Sequence, residues 1–473
     1  MSYTIPSVDF SHGDLRVSDN RRFLQHTDGT PFFYLGDTAW ELFHRLNREE
    51  ADLYLENRRA KGFTVIQAVA LAELDGLNTP NAYGDNALLD NDPRKPNEAY
   101  FHHVDYIVDK AREKGLYIGF LPTWGDKTPT TQNWGTGPIV FNPENGRAYG
   151  RFLGERYREV PNIIWVLGGD RIPDGCYEIW REMAAGLTEG DGGRHLKTYH
   201  PPGPSSSSFW LHGETWLDFH MNQSGHYAKD IPNYNTVAQG YVLEPAKPCL
   251  DGEPRYEDHP INWNPANGYF EAYDARQAAY WGLFAGGCGH TYGCQAMWQF
   301  YERKREPVCH PKTDWRTALD LPGAFDMLHV RRLMESRPFL TRIPDQSLIA
   351  GGQGLGVDHI QATRSQDGCY AFIYLPTGNP VVVDLGKLSG NKLNAYWFDP
   401  REGTCKSIEG MSADRCPGFT LRPAGAAMIG YSCWMTRRGN SPYQVAYSRK
   451  SHEHELAPGK CLERLLCRGS KRQ

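Results

Sequence analysis

Two acids in this sequence stand where a reacting group would have to stand. Asp170 follows Ile163-Ile164-Trp165-Val166-Leu167-Gly168-Gly169, an apolar run that ends in two glycines and a carboxylic acid. Glu253 lies near the end of Lys247-Pro248-Cys249-Leu250-Asp251-Gly252-Glu253-Pro254. Short apolar runs of this kind read as strands covered on both faces, and an acid at the end is carried out of the core into the cavity the strand ends line. Two such acids suit glycosyl transfer. One stays protonated to assist the leaving oxygen and the other attacks as carboxylate, across roughly 5–5.5 Å for a retaining reaction. Burial and mutual repulsion split their pKa values in the required sense. Each acid also has a plainer reading. Asp170 could cap the next helix. Glu253 could form an ion pair with Arg255, or Arg255 could orient Glu253 and keep it ionised; Asp251, two residues away on the same strand parity, is a rival.

The ends of the other apolar runs add Asp37, Trp40, Glu73, Trp124, Arg171, His200, His220, Gln223, Tyr292 and Trp298 as candidate substrate contacts. Carboxylates, imidazoles, amides and flat rings in one mouth are what a polyol site needs. Asp37 could instead cap a helix, Glu73 could be an exposed loop acid, and Trp124 and Trp298 could be core residues. His200, His220 and His226 raise the question of a metal. They come from different segments without the H-E-x-x-H spacing, so neither metal nor cofactor is expected. No G-x-S-x-G elbow or Walker loop is present.

The elements that must position these groups form a recurring pattern between residues 31 and 340. Eight apolar runs alternate with polar loops and helix-like stretches: PFFYLGDTAW, FTVIQAVAL, LYIGFLPTW, NIIWVLGGD, HLKTYHPPG, WLDFHMNQS, KPCLDGEP and GHTYGC. Asn47 and Glu50 form a capping-box start. A second helix is expected from about Asn97 to Gly115, and others over Arg147–Arg158, Asp174–Leu187, Glu271–Phe284 and Asp314–Arg337. This is the pattern of an α/β fold, a (β/α)8 TIM barrel. The rival doubly wound sheet would show a glycine-rich nucleotide turn, and none is found. Residues 1–30 read as an N-terminal segment with a hairpin near Asp28-Gly29. Residues 341–435 read as a small antiparallel β-sandwich, with turn signals at Asp367-Gly368 and Gly378-Asn379. Residues 436–473 read as a basic, poorly ordered tail.

Composition narrows the partners. Across 473 residues the net charge is −5, which gives no reason to expect nucleic acid or an anionic membrane, and no apolar run reaches membrane-spanning length. The 11 scattered cysteines and the start MSYTIPSVDFSHGD, without a leader pattern, point to the cytoplasm, or to secretion if a leader has been removed. The oligomeric state is left open. With 13 Trp and 26 Tyr the chain is rich in rings that suit sugar faces as well as cores.

FFYLGDTAWELFHRL, FTVIQAVALAELDGLN, IIWVLGGDR, LDFHMNQSGH, LDGEPRYED and GHTYGCQAMWQF together resemble the apiosidase-like glycoside hydrolases (glycoside hydrolase family 140 and its relatives) over roughly residues 10–340. The β-rich region beyond is similar to the collagen-binding-like module that accompanies that barrel. The resemblance implies release of apiose from side chains of the pectic polysaccharide rhamnogalacturonan II. It also implies that Asp170, in Gly-Gly-Asp, is the acid/base and Glu253, in Asp-Gly-Glu-Pro, the nucleophile, which favours Glu253 over Asp251. The expected partner is therefore an oligosaccharide. The alternatives are a non-catalytic carbohydrate-binding protein and a sugar isomerase or epimerase.

Overall fold

A computed structural model of the protein describes residues 7–129, 135–390, 393–408, 419–421 and 431–437. One compact unit comprises Met1–Leu283 with Gly287–Leu328, and a second Phe284–Gly286 with His329–Gln473.

Each of the eight apolar runs carries one strand of a barrel in the first unit. These are β1 (Tyr34–Thr38), β2 (Val65–Leu71), β3 (Tyr117–Thr123), β4 (Ile163–Gly168), β5 (Lys197–His200), β6 (His220–Gln223), β7 (Cys249–Asp251) and β8 (Gly289–Tyr292). β1 to β5 pair in order and in parallel, β6 to β8 likewise, and β8 pairs with β1. At the seam between β5 and β6, the Asp218 N–H donates to the Lys197 carbonyl at 2.9 Å and the Thr198 hydroxyl to the Phe219 carbonyl at 2.7 Å. A two-residue strand, Ser205–Ser206, adds an antiparallel edge to β6. Covered on both faces, the strands are buried throughout.

The strand period of two sorts the polar exceptions. Tyr34, Gln67 and Thr291 point into the lumen, where the Tyr34 hydroxyl donates to Gln67 Oε1 at 3.1 Å and Gln67 Nε2 donates to the Gly252 carbonyl at 3.1 Å. Asp37 lies on the other parity of β1 and faces the helices.

The helices follow the strands. Arg48–Ala60 opens with the reciprocal Asn47/Glu50 capping box, and Glu98–Glu113 is capped by Asn97. Pro143–Tyr157, Tyr177–Asp191 and Ala272–Phe284 occupy the next expected stretches, the first beginning four residues earlier than the periodicity suggests because Asn142 and Pro143 supply its cap and N1. Helix Asn233–Tyr241, with few apolar positions, is not evident in the sequence. The single helix expected over Asp314–Arg337 is two, Trp315–Ala318 and Pro322–Glu335, because Pro322 cannot donate a mid-helix hydrogen bond and starts a new helix instead.

Before the barrel, Leu15–Val17, Leu24–His26 and Pro31–Phe32 form a three-stranded antiparallel sheet turning at Asp28-Gly29. Phe10 and Phe32 each meet Tyr117, the first residue of β3, edge-on at 5.1 Å, so this segment packs on the barrel at its N-terminal end.

The second unit holds a six-stranded antiparallel sheet in the order Arg342–Pro344, Gln361–Ser365, Tyr370–Leu375, Tyr431–Arg437, Leu393–Asp399, Thr404–Ser407. A three-stranded antiparallel sheet joins Ile349–Gly351, Val381–Val383 and Phe419–Leu421. One apolar cluster draws on both, including Ile373 and Leu375 from the first and Val381 and Val383 from the second. Asp367-Gly368 turns a hairpin as expected. Gly378-Asn379 does not: the strands on either side of it belong to different sheets. The basic tail expected over 436–473 lies outside the described residues beyond Arg437.

Candidate active site

Asp170 is delivered by a turn that only glycines permit. Gly168 and Gly169 have φ of +91° and +107°, and Asp170 itself +55°. A Cβ on Gly169 would stand 2.8 Å from the Gly125 nitrogen and 2.9 Å from the Trp124 ring, and one on Gly168 2.4 Å from the His200 carbonyl. Main chain therefore threads between the ends of β3 and β5, pinned by Gly169 N–H to His200 O at 3.0 Å and Gly125 N–H to Gly169 O at 3.1 Å. Arg171 braces the same turn, its Nη1 donating to the Asp170 carbonyl at 2.9 Å. Non-glycine residues held at positive φ cluster at functional sites.

Glu253 stands two residues past β7, and Gly252 between them breaks the strand parity. Asp251, still in the strand, turns to the helix side, where it accepts hydrogen bonds from Ser224 Oγ at 2.7 Å and Asn233 Nδ2 at 3.0 Å. Glu253 turns inward. Its Oε2 lies 3.0 Å from His200 Nε2 and its Oε1 3.1 Å from His226 Nε2. The Tyr256 N–H donates to His226 Nδ1 at 3.4 Å, which leaves Nε2 to donate to Glu253. Arg255 has other partners: its Nη1 donates to Gln277 Oε1 at 3.0 Å and to the Lys229 carbonyl, with the guanidinium over the Trp281 ring. The histidines, not the arginine, orient Glu253.

Asp170, His200 and Glu253 meet. One atom of each lies within 4.8 Å of the others, and His200 bridges the acids, with Nδ1 3.5 Å from Asp170 Oδ1. The side chains of Asp170 and Glu253 are 15% and 7% exposed. Electrostatics separates them. Burial, then the Glu253 charge, pushes Asp170 up to about 8. Burial pushes Glu253 up too, but the close approach of His200 and the hydrogen bond from His226 outweigh it and hold Glu253 at about 2. His200 is raised: burial opposes its charge, and Glu253 followed by Asp170 overcomes that. Glu73 is pushed well above the carboxylate range by burial and then by Asp170, and so stays neutral beside the pair. The acids thus divide into one protonated and one ionised group at neutral pH.

Trp40 and Trp124 wall this cluster, their ring centroids 5.2 Å and 5.8 Å from that of His200 and 5.2 Å from each other. The Gln223 side chain sits against Asp170. Trp40, Glu73, Trp124, Arg171, His200 and Gln223 are therefore brought to the acids. Four candidates are not. Asp37 faces outward and accepts from Arg58 Nε at 2.6 Å and from the Tyr54 hydroxyl, as a buried ion pair of the scaffold. Tyr292, on the same parity of the adjacent β8, donates to the Glu257 carboxylate. His220 begins β6 rather than ending it and lies 3.0 Å from His212. Trp298 donates its indole N–H to Gln295 Oε1 of its own short helix at 3.1 Å, and its carbonyl accepts from the Glu41 N–H at 3.1 Å.

Sequence reasoning missed His226 as a partner of Glu253 and missed Tyr256 and Trp263, which pack with it at 4.5 and 6.1 Å between ring centroids. They lie in loops after β6 and β7, where no periodicity marks a side chain's direction. Asp170, His200 and Glu253 are also two carboxylates and an imidazole close enough to share a divalent cation.

Residues 18–341 match the family described as apiosidase-like, catalytic domain, and residues 343–427 the putative collagen-binding domain of a collagenase. Among solved structures, one described as a glycoside hydrolase is 34% identical, covering 92% of this chain and 100% of its own, with a TM-score of 0.84. A glycoside hydrolase family 5 structure from Bacteroides vulgatus ATCC 8482 is 33% identical over 93% of this chain and 96% of its own, also with a TM-score of 0.84. A third, a putative glycoside hydrolase from the same organism, shares the fold at 17% identity, 91% and 84% coverage, and a TM-score of 0.65. A search of curated proteins gave no match.

Proposed function

The chain belongs to the apiosidase-like glycoside hydrolase family and is a glycosidase, and from that premise we propose a retaining exo-acting enzyme with Asp170 as acid/base and Glu253 as nucleophile. The observation that carries this is the divided pair: carboxyl oxygens within 4.8 Å, one acid held at about 8 and the other at about 2. An inverting enzyme would hold its carboxyls roughly 6.5–9.5 Å apart to admit a water. Asp170 protonates the departing glycosidic oxygen while Glu253 attacks the anomeric carbon. Once Glu253 is esterified its charge no longer raises Asp170, whose pKa falls, and Asp170 becomes the base that activates water. Such near-complete burial of both acids suits one terminal ring better than the middle of a chain. The substrate class is a pectic oligosaccharide bearing a terminal pentose, apiose or a similar sugar, as the family resemblance implies.

The test is release of free sugar from pectic oligosaccharides and aryl glycosides, with the anomer formed followed by NMR. Asp170→Ala and Glu253→Ala are each expected to lose at least about a thousandfold on the oligosaccharide. Turnover that survives both substitutions puts the chemistry elsewhere. Sugar binding without any wild-type turnover favours a carbohydrate-binding protein. A second reading, a metal-dependent isomerase, rests on the donor set of Asp170, His200 and Glu253. Added zinc would inhibit the glycosidase by occupying both acids, whereas it would activate an isomerase.

A further inference from the structure

The loop after β7 leaves one large ring outside the core. Trp263 is 50% exposed, although both ends of its segment are held: Asn262 N–H donates to the His226 carbonyl at 2.8 Å, Ile261 N–H to the Gly268 carbonyl at 3.0 Å, and Pro260 bridges Tyr269. Asn262 and Trp263 have φ of +52° and +56°, a region that side-chain-bearing residues seldom occupy unless the surroundings impose it. An apolar ring kept at the surface by strained backbone is not explained by packing. Its neighbours say where it stands. The Trp263 ring lies edge-on to His226 and His259, centroids 6.1 and 5.9 Å away, and His226 holds Glu253. Trp263 is thus the exposed ring next to the histidine that holds the buried Glu253.

The geometry points to Trp263 as a stacking platform for the sugar ring that adjoins the one being cleaved, making it a specificity-determining residue; this rests on the glycosidase reading above. A flat indole face offers CH–π and apolar contact to a pyranose. Anchored to the loop that carries Glu253 and supports His226, it fixes an oligosaccharide relative to the nucleophile.

The test uses the full chain carrying Glu253→Gln, which binds without turnover, titrated calorimetrically with an apiose-bearing pectic oligosaccharide and with free apiose. Adding Trp263→Ala is expected to weaken oligosaccharide binding by about tenfold or more, while Trp263→Phe, which keeps a flat face, costs less than about fivefold. Trp263→Leu keeps apolar bulk without a face and serves if the alanine variant does not fold; it is expected to lose affinity as alanine does. Equal affinity of the Ala or Leu chain and its parent overturns the platform. So does an equal loss on free apiose, which would place the ring at the terminal sugar instead. Failure of the glycosidase reading shows separately: Trp263-dependent binding with no wild-type turnover leaves the platform standing and removes the enzyme.

Discussion

His226 Nε2 lies 3.1 Å from Glu253 Oε1 and donates to it. His200 approaches the other oxygen, so Glu253 is gripped on both sides by imidazoles and its low pKa is a property of that grip. Removing one hand of it exposes the upward push of burial.

His226→Ala is therefore expected to raise the pKa of Glu253, moving the acid limb of kcat/KM to higher pH and lowering kcat/KM at neutral pH by about 10- to 100-fold. His226→Gln, with an amide donor in reach, should recover part of both. An acid limb that stays in place would show that His200 alone sets the nucleophile.

The alkaline limb is expected to follow Asp170, the proposed acid/base. With its carboxyl at about 8, it is protonated below that pH and loses its proton above it. Hence kcat/KM should fall through pH 8, tenfold per pH unit beyond. Aryl glycosides with good leaving groups need less protonation, so the limb should flatten for them when glycosylation is followed.

The same raised pKa costs stability. An acid whose folded pKa exceeds its unfolded value contributes most below the unfolded pKa and loses that contribution as pH rises through about 8. Asp170→Asn should thus stabilise the chain more at pH 8 than at pH 5, on the order of 1–2 kcal/mol, while abolishing oligosaccharide turnover. Equal melting shifts at both pH values would mean that Asp170 is ionised in the folded protein.

At Asp37 the scaffold rather than turnover is at stake. Arg58→Ala leaves its carboxylate buried without its cation and should cost about 3–5 kcal/mol in denaturant unfolding. Chains that remain folded should turn over at close to the wild-type rate. A large fall in kcat with little loss of stability would return Asp37 to the site.

Gly169→Ala places a methyl against Gly125 and Trp124 at φ of +107°. Destabilisation of more than about 1 kcal/mol is expected, together with a loss of kcat exceeding the rise in KM, because Asp170 is displaced. Unchanged kcat would mean that the Gly-Gly turn does not set the acid's position.

Asn222-Gln223-Ser224 shows how a local motif depends on its surroundings. It has the pattern of a glycan acceptor, yet Asn222 is 1% exposed within β6, where no glycan could be added. Parity misled in a similar way at Asp251, which shares the odd positions of Glu253 in sequence but not its side of the barrel, because the strand stops before Gly252.

Composition and periodicity determined the barrel: eight apolar runs, each too short for a buried helix, can be covered on both faces only as parallel strands with helices around them. Position at a strand's end was enough to bring out Asp170, Glu253 and His200. Tertiary structure alone decided which side chains turn inward at those ends, since a glycine just past the strand reverses parity, as Gly252 separates Asp251 from Glu253. It also decided what surrounds each acid. The pKa of a carboxylate depends on burial and on charges a few ångströms away, and His226 approaches Glu253 from another strand's loop, a proximity that exists only once the barrel has closed.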